Sequence, residues 1–215
     1  MNYTNEQIAA ALDYAVLKPT TSIAEVIKAC ELAKANNFAS VCVRPCDVPY
    51  AANRGVTVST VIGFPHGGSI ISIKVFEAQS AIDQGAMEID AVINYARILN
   101  GNYYYIEEEL EQLRKAVPNH VLKIILETGC LNKNQLGIAC RLCSSFGVDY
   151  VKTSTGFYGC GASTVDVIRI KEELRGTPVQ IKASGGITTN IEVVDYLNLG
   201  CTRIGSSKWT ELLNE

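Results

Sequence analysis

Eight short apolar runs, with stretches of helical periodicity between them, leave this chain few ways to fold. The runs occupy residues 12–17, 39–43, 57–62, 87–94, 121–126, 149–153, 179–183 and 202–205. Most are continuously hydrophobic and β-branched rather than alternating, as expected of strands covered on both faces. Helical stretches are read at 22–36, 69–84, 102–116, 131–146, 163–175, 189–199 and 206–213. The first opens with Ser22 and Glu25 at capping-box spacing. Glu107-Glu108-Glu109 is assigned to the wet side of the 102–116 helix, and the 45–53 link, with two prolines, has room only for a brief helix. Repeated right-handed βαβ units follow from this order. An open doubly wound sheet and a closed (β/α)8 barrel both satisfy it. No Gly-x-Gly-x-x-Gly follows the first run, which favours the barrel. The expectation is an α/β chain forming one compact (β/α)8 TIM barrel over residues 1–215, with a short N-terminal helix. Barrels typically run to about 250 residues, with about 200 near the floor.

Composition excludes several classes of function. Apolar residues make up 47% and charged residues 19%, the balance of a folded globular chain rather than a disordered one. A net charge of −3 argues against a nucleic-acid partner, because phosphate backbones select basic surfaces. No run approaches the length of a membrane span, and residues 1–8 lack the apolar core of a signal peptide. The eight cysteines are scattered rather than framed by short loops, so a cytoplasmic location with reduced thiols is expected. Cys140-x-x-Cys143 falls late in a helical stretch with no second pair, and is read as packing, as are Cys46 and the other cysteines apart from Cys42. Two histidines leave little room for a histidine metal site, and no metal or cofactor is expected. His120 precedes the fifth run and is read as structural. His66 follows the third run, where a catalytic role is the lesser expectation.

In a barrel the working groups sit at the C-terminal ends of strands and in the loops that follow. Reading those ends in order yields Asp13, Cys42, Asp90, Lys123, Lys152 and Lys182. Lysine is rarely buried without a partner. Side-chain parity puts Tyr150, Lys152 and Ser154 on one face of the sixth run, and Gln180, Lys182 and Ser184 on one face of the seventh. If those strands are neighbours, the two ammonium groups repel, burial adds to the cost of charge, and one amine titrates below about 10.4. A neutral amine is what Schiff-base chemistry requires. Asp90, on the same face of the fourth run as the deeper Glu88, is placed to exchange protons directly or through water, or to form an interior ion pair with Lys123 or Lys182. Glycine-rich turns at Gly156, Gly185-Gly186 and Gly205-Ser206-Ser207 suit the backbone cradle of a phosphate. A small phosphorylated carbonyl compound is the substrate they imply.

These residues resemble the deoxyribose-phosphate aldolase family, class I aldolases with a (β/α)8 barrel. The resemblance rests on the segments Leu12-Asp13-Tyr14-Ala15-Val16-Leu17-Lys18-Pro19, Glu88-Ile89-Asp90-Ala91-Val92-Ile93-Asn94 and Glu127-Thr128-Gly129. It rests further on Lys152-Thr153-Ser154-Thr155-Gly156-Phe157, Lys182-Ala183-Ser184-Gly185-Gly186-Ile187 and Arg203-Ile204-Gly205-Ser206-Ser207. It implies reversible, metal-free cleavage of 2-deoxy-D-ribose 5-phosphate to acetaldehyde and D-glyceraldehyde 3-phosphate. It further implies Lys152 as the Schiff-base lysine, Lys182 as the lysine that perturbs it and Asp90 as the acid/base group. Asp13, Cys42 and Lys123 match pocket residues, and Gly156, Gly185, Gly186, Gly205 and Ser207 match the phosphate loops. A homodimer is common among such barrels. Tyr14-Ala15 departs from the usual His-Thr or similar pair, Cys130 replaces the acid that commonly follows Glu-Thr-Gly, and His66-Gly67-Gly68 differs from Leu-Gly-Ala. The chain also ends at Asn214-Glu215 without the C-terminal tyrosine of some members. None of these changes falls on Lys152, Lys182 or Asp90. Two rival readings stay open: a Schiff-base aldolase for another phosphorylated sugar, and a non-catalytic sugar-phosphate-binding barrel.

Overall fold

Each of the eight apolar runs becomes a parallel strand in the computed structural model, which describes residues 3–213. The chain end at Asn214-Glu215 lies outside the described residues. The strands are β1 (Leu12–Val16), β2 (Ser40–Val43), β3 (Val58–Ile62), β4 (Glu88–Val92), β5 (Val121–Ile125), β6 (Tyr150–Lys152), β7 (Gln180–Ser184) and β8 (Arg203–Ser206). They pair in sequence order, and β8 closes on β1 through Leu12–Ile204 and Asp13–Gly205. The architecture is the expected (β/α)8 barrel.

Helices α1 (Asn5–Ala11), α2 (Ile23–Asn36), α3 (Val48–Ala51), α4 (Ile71–Asp83), α5 (Tyr95–Leu99) and α6 (Tyr103–Ala116) belong to the first half. Helices α7 (Lys133–Ser145), α8 (Thr164–Glu173), α9 (Asn190–Leu199) and α10 (Trp209–Leu213) belong to the second. Capping boxes at Ser22/Glu25, Asn132/Gln135 and Thr189/Glu192 set the starts of α2, α7 and α9; each cap is worth about 1 kcal/mol. Helix α5 is not legible as periodicity. The 87–94 run stops as a strand at Val92 because Asn94 turns the chain, its side chain accepting from the Arg97 amide. Among the described residues no helix is long and apolar enough to cross a membrane.

The apolar core is a ring between barrel and helices. It contains Val41, Val43, Ile62, Ile89, Ala91, Leu122, Ile124, Val151, Ile181, Ala183 and Ile204 from the strands, packed against residues such as Val26, Leu110, Cys140, Ile170 and Val193 from the helices. The alternate strand residues point into the barrel, and there the composition changes: Asp13, Ser40, Ser59, Glu88, Asp90, Lys123, Lys152 and Lys182 are all buried. Barrel interiors are ordinarily filled by bulky branched side chains. A charged interior is the departure that locates the function.

Two expectations are corrected. Glu109 is not on the wet side of α6. It is fully buried and ion-paired with the equally buried Lys74 of α4, and its other oxygen accepts from the Asn94 amide at 3.0 Å. Lys74 donates its further hydrogen bond to the Val92 carbonyl at 2.7 Å, so the pair ties both helices to the end of β4. Cys46 and Cys160 are exposed rather than packed, and Cys130 is half-buried; Cys30, Cys42, Cys140, Cys143 and Cys201 are buried.

Candidate active site

The register that closes the barrel brings the two lysines level. Lys152 of β6 pairs directly with Lys182 of β7. Asp90 of β4 pairs with Lys123 of β5. The four side chains converge in the interior: Lys152 donates to Asp90 Oδ2 at 2.9 Å, Lys182 donates to the same oxygen at 2.7 Å, and Lys123 donates to Oδ1 at 2.7 Å. The amines of Lys152 and Lys182 thus stand within two hydrogen-bond lengths of each other.

A second tier supports the first. Lys182 Nζ lies 2.5 Å from Asp13 Oδ2, and Lys123 donates to Glu88 Oε2 at 2.5 Å. Arg203, at the start of β8, bridges Asp13 Oδ1 at 2.5 Å and Glu88 Oε1 at 3.1 Å, while Ser40 donates to Asp13 Oδ1 at 2.7 Å. Three carboxylates, Asp13, Glu88 and Asp90, therefore face four basic groups, Lys123, Lys152, Lys182 and Arg203. Buried charge is tolerated only where it is paired. The interior is neutral when one base carries no proton.

Of the four bases, Lys152 is the one whose charge the surroundings disfavour. Burial, with the nearby Lys182 ammonium, pushes the Lys152 amine below the ordinary lysine value against the opposing pull of Asp90. Burial also opposes charge on Lys182 and Lys123, but there carboxylates outweigh it: Asp13 and Asp90 hold Lys182 up, and Asp90, Asp13 and Glu88 hold Lys123 up. Burial disfavours the Asp90 carboxylate as well, and the three lysines around it overcome that and hold it well below the usual range. Burial raises the Cys42 thiol, so the group offers a small apolar surface rather than a thiolate.

Above this floor opens a cavity of about 240 Å³ at the C-terminal end of the barrel. Lys152, Lys182, Asp13 and Cys42 line its base, and Ala15 and Leu17 of the β1 end line one side. The opposite side is backbone: Gly156 after β6, Gly185 and Gly186 after β7, Gly205 and Ser207 at the β8 end. Two of these glycines have steric reasons. Gly185 takes φ +92°, and a Cβ there would lie 3.1 Å from the Ser154 side chain and from Gly161. A Cβ at Gly205 would sit 2.8 Å from Ser184 and 3.2 Å from Lys182 Cε, crowding the lysine itself. Ser206 is spent within its loop, donating to the Ile187 carbonyl and accepting from the Lys208 amide, which leaves Ser207 at the cavity wall. Thr155, also on the wall, is held by Glu127, whose Oε2 accepts from the threonine hydroxyl at 2.5 Å and its amide at 3.2 Å.

Not every expected residue reaches the cavity. Lys123 and Asp90 are fully buried and do not line it; Lys123 is committed to the carboxylates beneath the floor. His66 is exposed and off the cavity wall, and His120 lies before β5, at the other end of the barrel. Arg203 was not singled out from the sequence. Its signal was a lone cation in an apolar run, two residues from Gly205 and so on the same strand face. The interior carboxylates are occupied by ammonium and guanidinium groups, and among the described residues no set of three or more His, Cys, Asp or Glu is arranged to hold a metal.

Comparison with known proteins agrees with this geometry. The family model for DeoC/LacD family aldolases matches residues 6–199. A deoxyribose-phosphate aldolase of Ureaplasma parvum is 42% identical over 207 residues, covering 94% of this chain and 96% of its own. One from a Thermoanaerobacter species is 40% identical over 215 residues, covering 97% and 96%. The deoxyribose phosphate aldolase of Aeropyrum pernix, described as a unique tetrameric structure, superposes with a TM-score of 0.91 at 28% identity, covering 98% of this chain and 91% of that one. With a charged barrel floor, a paired-lysine centre and relatives of this similarity along nearly its whole length, the chain belongs to the DeoC/LacD aldolase family.

Proposed function

We propose that this chain cleaves 2-deoxy-D-ribose 5-phosphate reversibly to acetaldehyde and D-glyceraldehyde 3-phosphate, through a Schiff base on Lys152. The observation that carries the reading is the Lys152 amine on the cavity base, sharing one Asp90 oxygen with Lys182 in a cluster holding one base more than acids. An uncharged amine attacks the C1 aldehyde, and loss of water leaves an iminium ion that serves as an electron sink. A base takes the C3 hydroxyl proton, the C2–C3 bond breaks, and its electron pair moves into the iminium to form an enamine. D-Glyceraldehyde 3-phosphate departs. Protonation of the enamine carbon and hydrolysis of the resulting imine release acetaldehyde and restore the amine.

Asp90 is the proton reservoir and Lys182 the group that meets the substrate. Asp90 lies behind the cavity wall, whereas Lys182 is on it and bonded to Asp90. Proton transfer between positioned groups contributes about 10²–10⁴-fold. Lys123 holds Asp90 from below, and Asp13 holds Lys182. Gly156, Gly185, Gly186, Gly205 and Ser207 form the phosphate cradle, where glycine lets backbone approach the anion closely. Cys42, Ala15 and Leu17 supply an apolar side against the sugar chain.

The assembly we propose is a homodimer, to be tested by light scattering, and the eight free thiols fit a cytoplasmic location. The test of the chemistry is borohydride reduction in the presence of acetaldehyde, followed by peptide mass mapping. An ethyl adduct on Lys152 is expected, with turnover unaffected by chelators. Binding without turnover that survives Lys152→Ala would return the chain to the non-catalytic reading.

A further inference from the structure

The cluster poses a question that the reaction scheme does not answer: which group makes the cations outnumber the carboxylates? The three lysines alone would match the three acids. Arg203 supplies the excess. Its side chain is 17% exposed, it is not on the cavity wall, and no substrate atom bound there would touch it. Its two terminal nitrogens are fixed, one on Asp13 and one on Glu88, and its guanidinium stands 5.7 Å from the centre of the Tyr150 ring. Asp13 and Glu88 are the same carboxylates that hold Lys182 and Lys123.

We propose that Arg203 is a positioning residue for the Lys152 amine: by neutralising Asp13 and Glu88 from below, it completes the charge count that leaves Lys152 unprotonated. The inference rests on the Schiff-base reading of Lys152. The groups around that amine are Asp90 from β4, Lys182 from β7 and Cys42 from β2, backed by Lys123 of β5, Asp13 of β1 and Glu88 of β4. Those around Arg203 are Asp13, Glu88, the Tyr150 hydroxyphenyl of β6 and Lys182, its partner in the β7–β8 register. With Arg203 in place and Lys152 neutral, three negative charges meet three positive ones. Without Arg203, the same neutrality requires a proton on Lys152, where it blocks attack on the aldehyde. Buried charges at this range interact with little salt screening, so the effect reaches Lys152 without contact.

The test is the pH dependence of kcat/KM, which reports ionisations of the free enzyme. Arg203→Gln is expected to move the acidic limb to higher pH by about one unit, a roughly tenfold loss at pH values below the limb. Glu88→Gln removes a carboxylate instead and is expected to move the limb to lower pH. The double variant E88Q/R203Q restores the count and is expected to return the limb towards the wild-type position. A purely structural arginine predicts something else: a uniform loss at every pH in R203Q, made worse in the double variant, and either result overturns the proposal. If R203Q does not fold, the Glu88→Gln limb carries the decision, and a limb that stays in place or moves upward refutes it. Borohydride trapping of the wild-type enzyme with acetaldehyde separates the two layers. An adduct on Lys152 with unmoved limbs overturns the role of Arg203 alone, whereas an adduct on another lysine overturns the Schiff-base reading and this inference with it.

Discussion

Two lysines in this molecule are buried to nearly the same degree, Lys152 inside the barrel and Lys74 between the barrel and its helices, and they do opposite things. Lys74 has a carboxylate to itself, Glu109, and each partner takes a further backbone hydrogen bond, to the Val92 carbonyl and from the Asn94 amide. Burial lowers the Lys74 amine and raises the Glu109 carboxyl, but the pair is closed and neither residue lines the cavity above the barrel floor. Lys152 instead shares one oxygen of Asp90 with a second lysine, and its amine faces open space. Burial alone therefore does not make a lysine reactive. On the Schiff-base role proposed for Lys152, an excess of cations over carboxylates and a route for a carbonyl compound are what set it apart.

The largest test of that contrast is to exchange the expected effects. Lys152→Ala should cut aldehyde release by roughly 10⁴-fold or more, because the covalent path is gone, while thermal unfolding moves little. More than a few per cent residual turnover would break the assignment. Glu109→Gln should do the reverse, leaving Lys74 buried without its counter-ion at about 3–5 kcal/mol of stability. In urea denaturation the midpoint should fall, with kcat/KM of the folded enzyme within a few-fold of wild type; an inactive but fully stable E109Q would sink the distinction.

The acid side of the stability curve sharpens it further. Asp13 and Asp90 are both held below the ordinary carboxylate range, since the surrounding cations outweigh the opposing effect of burial. The unfolded chain takes up those protons near pH 4 and the folded barrel does not, so their contribution is complete above about pH 4 and is lost as pH falls further. Urea midpoints should hold from pH 7 to about 5 and drop steeply below 4. A flat profile down to pH 3 contradicts the ion pairing described for the interior.

The smallest expected effect concerns the cysteines. Cys46→Ser, at an exposed position, should change stability by no more than about 0.5 kcal/mol. Cys140→Ser buries a hydroxyl in the α7 face that packs on the core, and should cost about 1–3 kcal/mol. Equal values from chemical denaturation would contradict the difference in burial between the two thiols.

Much of the site is legible in the sequence alone. Parity along the sixth and seventh runs puts Lys152 and Lys182 on matching faces, and the glycines after three consecutive strands line one wall of the cavity. Helix α5, Arg203, Glu109 and the exposed cysteines are not legible there, and Glu109 and Cys46 show why. Glu109 follows Ile106 by three residues and precedes Leu113 by four, so helical spacing places it on the buried stripe of α6; its charge argues for water, and only the Lys74 ammonium across from it makes its burial possible. Cys46, so close behind a strand, reads as packing, yet the turn after β2 carries it to the surface.

What the sequence determined by itself was periodic and local: strand and helix alternation, capping boxes, and which side of a strand each lysine occupies. These depend on residues a few positions apart, whose relative placement follows from backbone geometry. What only the tertiary structure decided was how charges are shared. Arg203 meets Asp13 across 190 residues of chain, and Lys182 meets Asp90 across 92. No spacing rule reaches that far. Closure of β8 onto β1 sets those distances, and they determine that Lys123 stays beneath the floor and that Lys152, rather than either of the other lysines, is left without a carboxylate of its own.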